Sequence, residues 1–158
     1  MKIIGIDLAG KPTNPTGICI LANNKTEAKI VYSDAEIIEI VESEKPDVIA
    51  IDAPFNFPKT GWWRDSDRAL INAGFRPLSP KFPGMKVLVE RAQNLIKKLS
   101  HFKIIEVFPR ATEKRLGLKP QPHINAHKYD ALLCALTGKA FLENKYEMLG
   151  KERIILPL

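Results

Sequence analysis

Cysteine is scarce. Only Cys19 and Cys134 occur among 158 residues; they are far apart and each has apolar neighbours. That excludes a secreted disulfide framework and a CxxC zinc pair, and makes a reducing, cytoplasmic setting the expectation. No apolar run approaches the ~20 residues of a membrane span, and MKIIGIDLAG turns acidic too soon for a signal peptide, so no membrane partner is expected. GxGxxG is missing, which leaves a dinucleotide site unsupported. The segment from Gly5 to Lys11 matches GxxxxGK, but Pro12 stands where a P-loop needs Ser or Thr to hold Mg²⁺. There is no internal repeat and no low-complexity tract. What remains, 45 % hydrophobic and 27 % charged residues, is ordinary globular composition. At ~150 residues per domain it predicts one domain over residues 1–158, large enough to fold on its own core.

Charge is divided along the chain. The net value is +6, but residues 81–119 carry ten Lys/Arg against three acids, whereas residues 27–52 carry eight acids against two lysines. A basic second half suits a polyanionic partner such as nucleic acid; it equally suits a solvated basic surface.

The pattern of apolar residues predicts three strands at 2–8, 16–22 and 28–32, with Asn23-Asn24 as a short turn. A helix follows over 33–44, its start marked by the Ser33/Glu36 capping box. The continuous apolar run DVIAID, 47–52, reads as a strand buried on both faces. Helices are predicted over 64–73 and 85–99, separated by a Pro-rich loop at 75–84. A fifth strand lies at 103–108. Pro109 at a first helical position and Gly117 past its end frame a short helix. A long Ala- and Leu-rich helix runs over 126–144, and 153–156 adds a small closing strand. The fold class is therefore α/β: a five-stranded mixed sheet, three antiparallel strands and then two parallel ones, flanked by helices. Residues 56–84 elaborate the link between strands four and five.

Four acids interrupt segments built for burial. Asp7 ends the first strand, Asp52 ends the fourth, Glu106 lies in the fifth and Asp130 sits early in the last long helix. Strands one, four and five are parallel in this topology, so their carboxyl ends share the edge where open α/β sheets place ligands. Asp7 and Asp52 become neighbours there, and a helix returning across the sheet brings Asp130 to them. Carboxylates gathered so closely repel and raise one another's pKa, which calls for a compensating cation. Oxygen-only ligands favour Mg²⁺ or Mn²⁺ over zinc, and two such ions ~3.5–4 Å apart form a machine for cutting phosphodiesters. Each acid alone also has a plainer role: Asp7 and Asp52 as turn residues, Glu106 facing solvent or pairing with a lysine, Asp130 on a helix surface.

His123 and His127 are spaced i, i+4, without the Glu of a zinc protease motif between them. His127 lies three residues before Asp130 on the same helix face. It is read as positioning water, contacting a phosphate or ligating metal, or else as a capping residue. Trp62 and Trp63, beside Lys59 and Arg64, are candidates for stacking bases or for covering the core. Arg64, Asp67 and Arg68 form either a local ion-pair set or, through Arg68, a phosphate contact. Lys11 and Arg110 complete the candidate substrate-binding residues.

Taken in order, GIDLAG followed by TG, IAIDAPF, Arg64-x-x-Asp67-Arg68, IEVFPRAT and HKYDALLCAL resemble an uncharacterised family described as predicted RNase H-like nucleases, a domain of unknown function. The resemblance spans nearly the whole chain. At superfamily level the first and last motifs also resemble Holliday-junction resolvases of the RuvC type. The resemblance implies an RNase H-like fold with Asp7, Asp52 and Asp130 as metal ligands. It implies nucleic acid as partner and a homodimer, since a resolvase needs two active sites. One departure is His127-x-x-Asp130, where many relatives in the superfamily carry two acids. Glu106 and Arg68 match family positions without an assigned role. The reading is a Mg²⁺- or Mn²⁺-dependent nuclease for structured or branched nucleic acid, with Asp7, Asp52, Asp130, His127 and Glu106 as catalytic candidates. Its rivals are a non-catalytic nucleic-acid-binding module and an ATPase/sugar-kinase-like nucleotide-binding protein.

Overall fold

A computed structural model describes residues 1–158. Three strands come first: β1 (Lys2–Asp7), β2 (Thr16–Ala22) and β3 (Lys25–Val31). They form an antiparallel meander. Asn23 and Asn24, both at positive φ, make the two-residue turn that joins Ala22 to its partner Lys25. This turn starts β3 three residues earlier than the apolar pattern indicates, because a tight hairpin fixes register from its first pair. Those extra residues, Lys25, Thr26 and Glu27, are exposed on an edge strand.

Helix α1 (Asp34–Glu44) starts at Ser33, whose side chain accepts from the Glu36 backbone in the expected capping box. It delivers the chain to β4 (Val48–Asp52), which pairs parallel with β1. Then come α2 (Asp65–Asn72), α3 (Met85–Lys98) and β5 (Ile104–Glu106), parallel to β4. The sheet order is β3-β2-β1-β4-β5, as the topology predicted. Helix α4 (Pro109–Arg115) begins on proline, and α5 (Ala126–Leu142) is capped by Asn125. The sequence reading missed β6 (Tyr146–Leu149). It pairs with β7 (Ile154–Pro157) in a separate two-stranded sheet, and Ile155 bridges to Val107 beside β5. No helix is long and apolar enough to cross a membrane.

Strand alternation sorts the core into two layers. Ile4, Ile6, Ile49 and Ile51 pack with Ile37 and Val41 of α1 and Ala92 and Leu95 of α3. Ile3, Cys19, Val48, Ala50 and Ile105 pack with Ala131, Cys134 and Ala135 of α5 on the other face. Helix α5 lies close to the sheet because Gly17 admits it: a Cβ there would stand 2.1 Å from the His127 carbonyl oxygen. Gly17→Ala therefore has to push α5 off β2. The expected loss is about 1–3 kcal/mol, the scale of overpacking, read as a lowered denaturation midpoint by circular dichroism.

Candidate active site

The site follows from register and alternation. Asp7 and Asp52 are direct partners in the parallel β1–β4 pair. By the two-residue period both lie on the α5 face, since Ile6 and Ile51 belong to the opposite layer. Helix α5 crosses that face with His127 and Asp130 in its first two turns. Nδ1 of His127 stands 2.9 Å from Oδ2 of Asp7. Asp130 pairs instead with Arg110, the second residue of α4, which also reaches Glu113 at 3.2 Å. Asp7 and Asp52 open on a cleft of about 340 Å³, shared with Arg64, Arg76, Glu106 and Arg110. Asp7, His127 and Asp130 line an adjoining hollow.

The electrostatics show the strain of the arrangement. Burial pushes the Asp52 carboxyl well above the usual range, and the neighbouring charges of Asp7, Asp130 and Glu106 push it further; only Arg110 opposes them. Burial also raises Asp7, against the hydrogen bond and charge of His127. Asp130 is raised by burial, against Arg110. As the side chains stand, no three His, Cys, Asp or Glu residues are grouped closely enough to hold a metal ion.

Glu106 is placed differently from the other three acids. It pairs with Ile51, not Asp52, so alternation sends its side chain toward the opposite layer. There it meets Arg64, the residue that opens α2. The guanidinium donates to both Glu106 oxygens, at 3.0 and 2.7 Å, and to both Asp67 oxygens, at 3.0 and 2.8 Å. All three side chains are 2–4 % exposed. Glu106 Oε2 also accepts from the Phe55 backbone at 3.1 Å, pinning the turn that follows Asp52. Burial lifts the Glu106 carboxyl, and Arg64 counters it.

Trp63, Arg64 and Arg68 line a second cleft, while Trp62 is exposed and Lys11 lies in the exposed β1–β2 loop. His123 stands before the Asn125 cap, so the i, i+4 pair with His127 is not on one helix. Arg91 went unnoticed in the sequence. Buried on α3, it donates to the Ala9 and Tyr32 carbonyls, each at 2.7 Å, and to Asp34 at 2.8 Å. It thereby clamps the loop leaving Asp7. A signal existed: Arg91 stands three residues after Leu88 and four before Leu95, along the apolar stripe of α3, whereas Lys86 and Lys97 fall on the exposed face; its partners only the fold supplies.

A 3-2-1-4-5 mixed sheet, with carboxylates at the ends of its two central parallel strands and a helix laid across them, is the RNase H-like fold. Among solved structures the chain is similar to Thermus thermophilus RuvC in complex with Holliday junction substrate: TM-score 0.55 and 16 % identity over 100 % of this chain and 99 % of that one. A structure of RuvC from the same organism gives TM-score 0.55 and 14 % identity over the full length of both chains. At these identities the likeness is one of fold. No family model and no curated protein matches the sequence.

Proposed function

We propose that this chain is a nuclease of the predicted RNase H-like family, hydrolysing phosphodiesters of structured or branched nucleic acid with Mg²⁺ or Mn²⁺. The observation that carries the reading is the in-register pair Asp7–Asp52, facing α5 with His127 and Asp130 above it. RuvC, similar in fold, has been captured with a Holliday junction, which supports nucleic acid as the partner.

The donor set suits an oxygen-seeking ion. Both carboxylates of the pair face one cleft, and the repulsion focused on Asp52 is what a cation relieves. Asp7 and Asp52 would hold it; Asp130 would join on release from Arg110. Bound there, the ion would neutralise these charges and polarise a phosphoryl oxygen. The rest is done by the chain. Ionised Asp7 only accepts, so a neutral imidazole at His127 would carry its proton on Nδ1 and leave Nε2 free to take one from water. Arg110, drawn from Asp130 to a phosphate, and Arg76 at the cleft wall supply cationic contacts. Glu106 supports the site by holding the turn after Asp52.

The test is cleavage of single-stranded, duplex, hybrid and branched substrates with Mg²⁺ or Mn²⁺. Asp7→Asn is expected to lower the rate by about 10²–10³-fold, the scale of removing one electrostatic group from a reacting centre. Equal activity in wild type and Asp7→Asn sinks the reading. The Arg110–Asp130 pair also favours a second reading, a binding module in which Arg110 permanently occupies the acidic site. That reading requires salt-sensitive binding that survives both chelator and Asp7→Asn, with no turnover.

A further inference from the structure

A second cleft of about 640 Å³ lies on the other side of Arg64, within the size range of ligand sites. Its lining is polar, with only two hydrophobic residues among ten. Phe57, Lys59 and Trp63 belong to the β4–α2 link, Arg68 to α2, and Lys151 to the β6–β7 turn. Both walls are fixed. The turn is tied to α2 by the Ser66 hydroxyl on the Leu149 carbonyl at 2.8 Å, the Ser66 amide on Glu152 at 3.0 Å and the Lys151 amide on Asp65 at 2.8 Å. Gly150, at φ +71°, makes that approach: a Cβ would fall 2.3 Å from Ser66 Cα. Trp63 immediately precedes Arg64, whose backbone amide and guanidinium are both locked to Asp67. The two acids of the lining, Asp65 and Glu152, are engaged by these backbone and hydroxyl donors. Lys59, Arg68 and Lys151 are exposed.

We propose that this cleft binds an unpaired single strand of nucleic acid, with a base stacked on Trp63 and the flanking phosphates on Lys59, Arg68 and Lys151. An aromatic platform among cations suits exposed base faces, which a duplex hides and a single strand presents. Fixed walls lower the ordering penalty of binding. Arg64 lines both clefts, so the strand site lies on the far side of one buried side chain from the cleft that holds Asp7 and Asp52. The inference deepens the nuclease reading and rests on it: the substrate is one in which paired and unpaired segments meet.

Trp62→Phe leaves Trp63 as the sole tryptophan. In this background, with chelator present, emission is followed on titration with an eight-residue oligothymidylate, thymidine monophosphate and a blunt duplex. Saturable quenching by the oligothymidylate alone is expected. Adding Lys59→Glu and Lys151→Glu should weaken it at least tenfold, whereas the same charge change at Lys25 and Lys97, remote on β3 and α3, should alter it less than twofold. Absence of quenching overturns the proposal. So does equal quenching by the monophosphate, which would make this a mononucleotide pocket, or equal weakening by both charge reversals. Quenching without cleavage in the substrate panel means the nuclease reading has failed and the site stands; cleavage without quenching means the reverse.

Discussion

Asp52→Asn is expected to make the metal-free protein more stable and, on the nuclease reading proposed above, to depress cleavage. Asp52 stands beside Asp7 at the head of the parallel pair, with Asp130 and Glu106 also acting on its charge. Its carboxyl is held well above the usual range by burial and by those three acids. A carboxyl whose pKa is raised on folding contributes stability in its protonated form. That contribution is complete below the unfolded pKa, about 3.9, and is lost as pH rises through the folded value. Asparagine keeps the shape and removes the charge. Thermal melts in chelator should therefore coincide near pH 4 and diverge as pH rises, with the variant higher. An advantage of about 1–3 kcal/mol, the range measured for poorly compensated buried polar groups, corresponds to roughly 2–12 °C for a chain this size. Mn²⁺ reverses the ranking. Wild type should gain about 2.7 kcal/mol at an ion concentration 100 times its Kd, while the variant should gain little and lose cleavage by about 10²–10³-fold. A variant that melts below wild type in chelator at neutral pH, or that keeps the full metal response, removes the basis for placing an ion here.

Much of this site was legible before any coordinates. Continuous apolar runs gave β1 and β4, a capping box gave the start of α1, and Pro109 gave the start of α4. Parallel order then made Asp7 and Asp52 neighbours by topology alone. Glu106 was less legible, although the signal existed: Ile105 faces α5, so its neighbour in the strand cannot. Its partner Arg64 lies 42 positions away, and no local period links them. The two-stranded sheet was half missed because β6 is only four residues long and none of them is fully buried. Its place is set by the docking of the Gly150 turn on Ser66, a tertiary contact without a sequence period. Arg110 was named only as a candidate substrate contact. That it neutralises Asp130 depends on α4 and α5 lying side by side.

Arg64→Met is expected to give a large loss of stability. It leaves Asp67 and Glu106 buried within the fold with no cation between them. Breaking one partner out of a buried ionic set typically costs about 3–5 kcal/mol, here roughly 6–20 °C in melting temperature. The pH dependence has a definite sign. Burial already raises the Glu106 carboxyl, and Arg64 is the largest influence holding it down. Without Arg64 it rises further, so the variant is destabilised most at high pH and its deficit narrows as acid protonates Glu106. The companion triple variant, Arg64→Met with Asp67→Leu and Glu106→Met, removes all three charges and should regain most of the stability, because a buried ionic set replaced by packed hydrocarbon is often neutral. Cleavage should not return with it. Glu106 Oε2 holds the Phe55 amide and so fixes the turn that carries Asp52, and methionine accepts no such bond from that position. A stable triple variant with depressed kcat would make the ion set a positioning device for Asp52. A stable triple variant with full kcat would make it structural only.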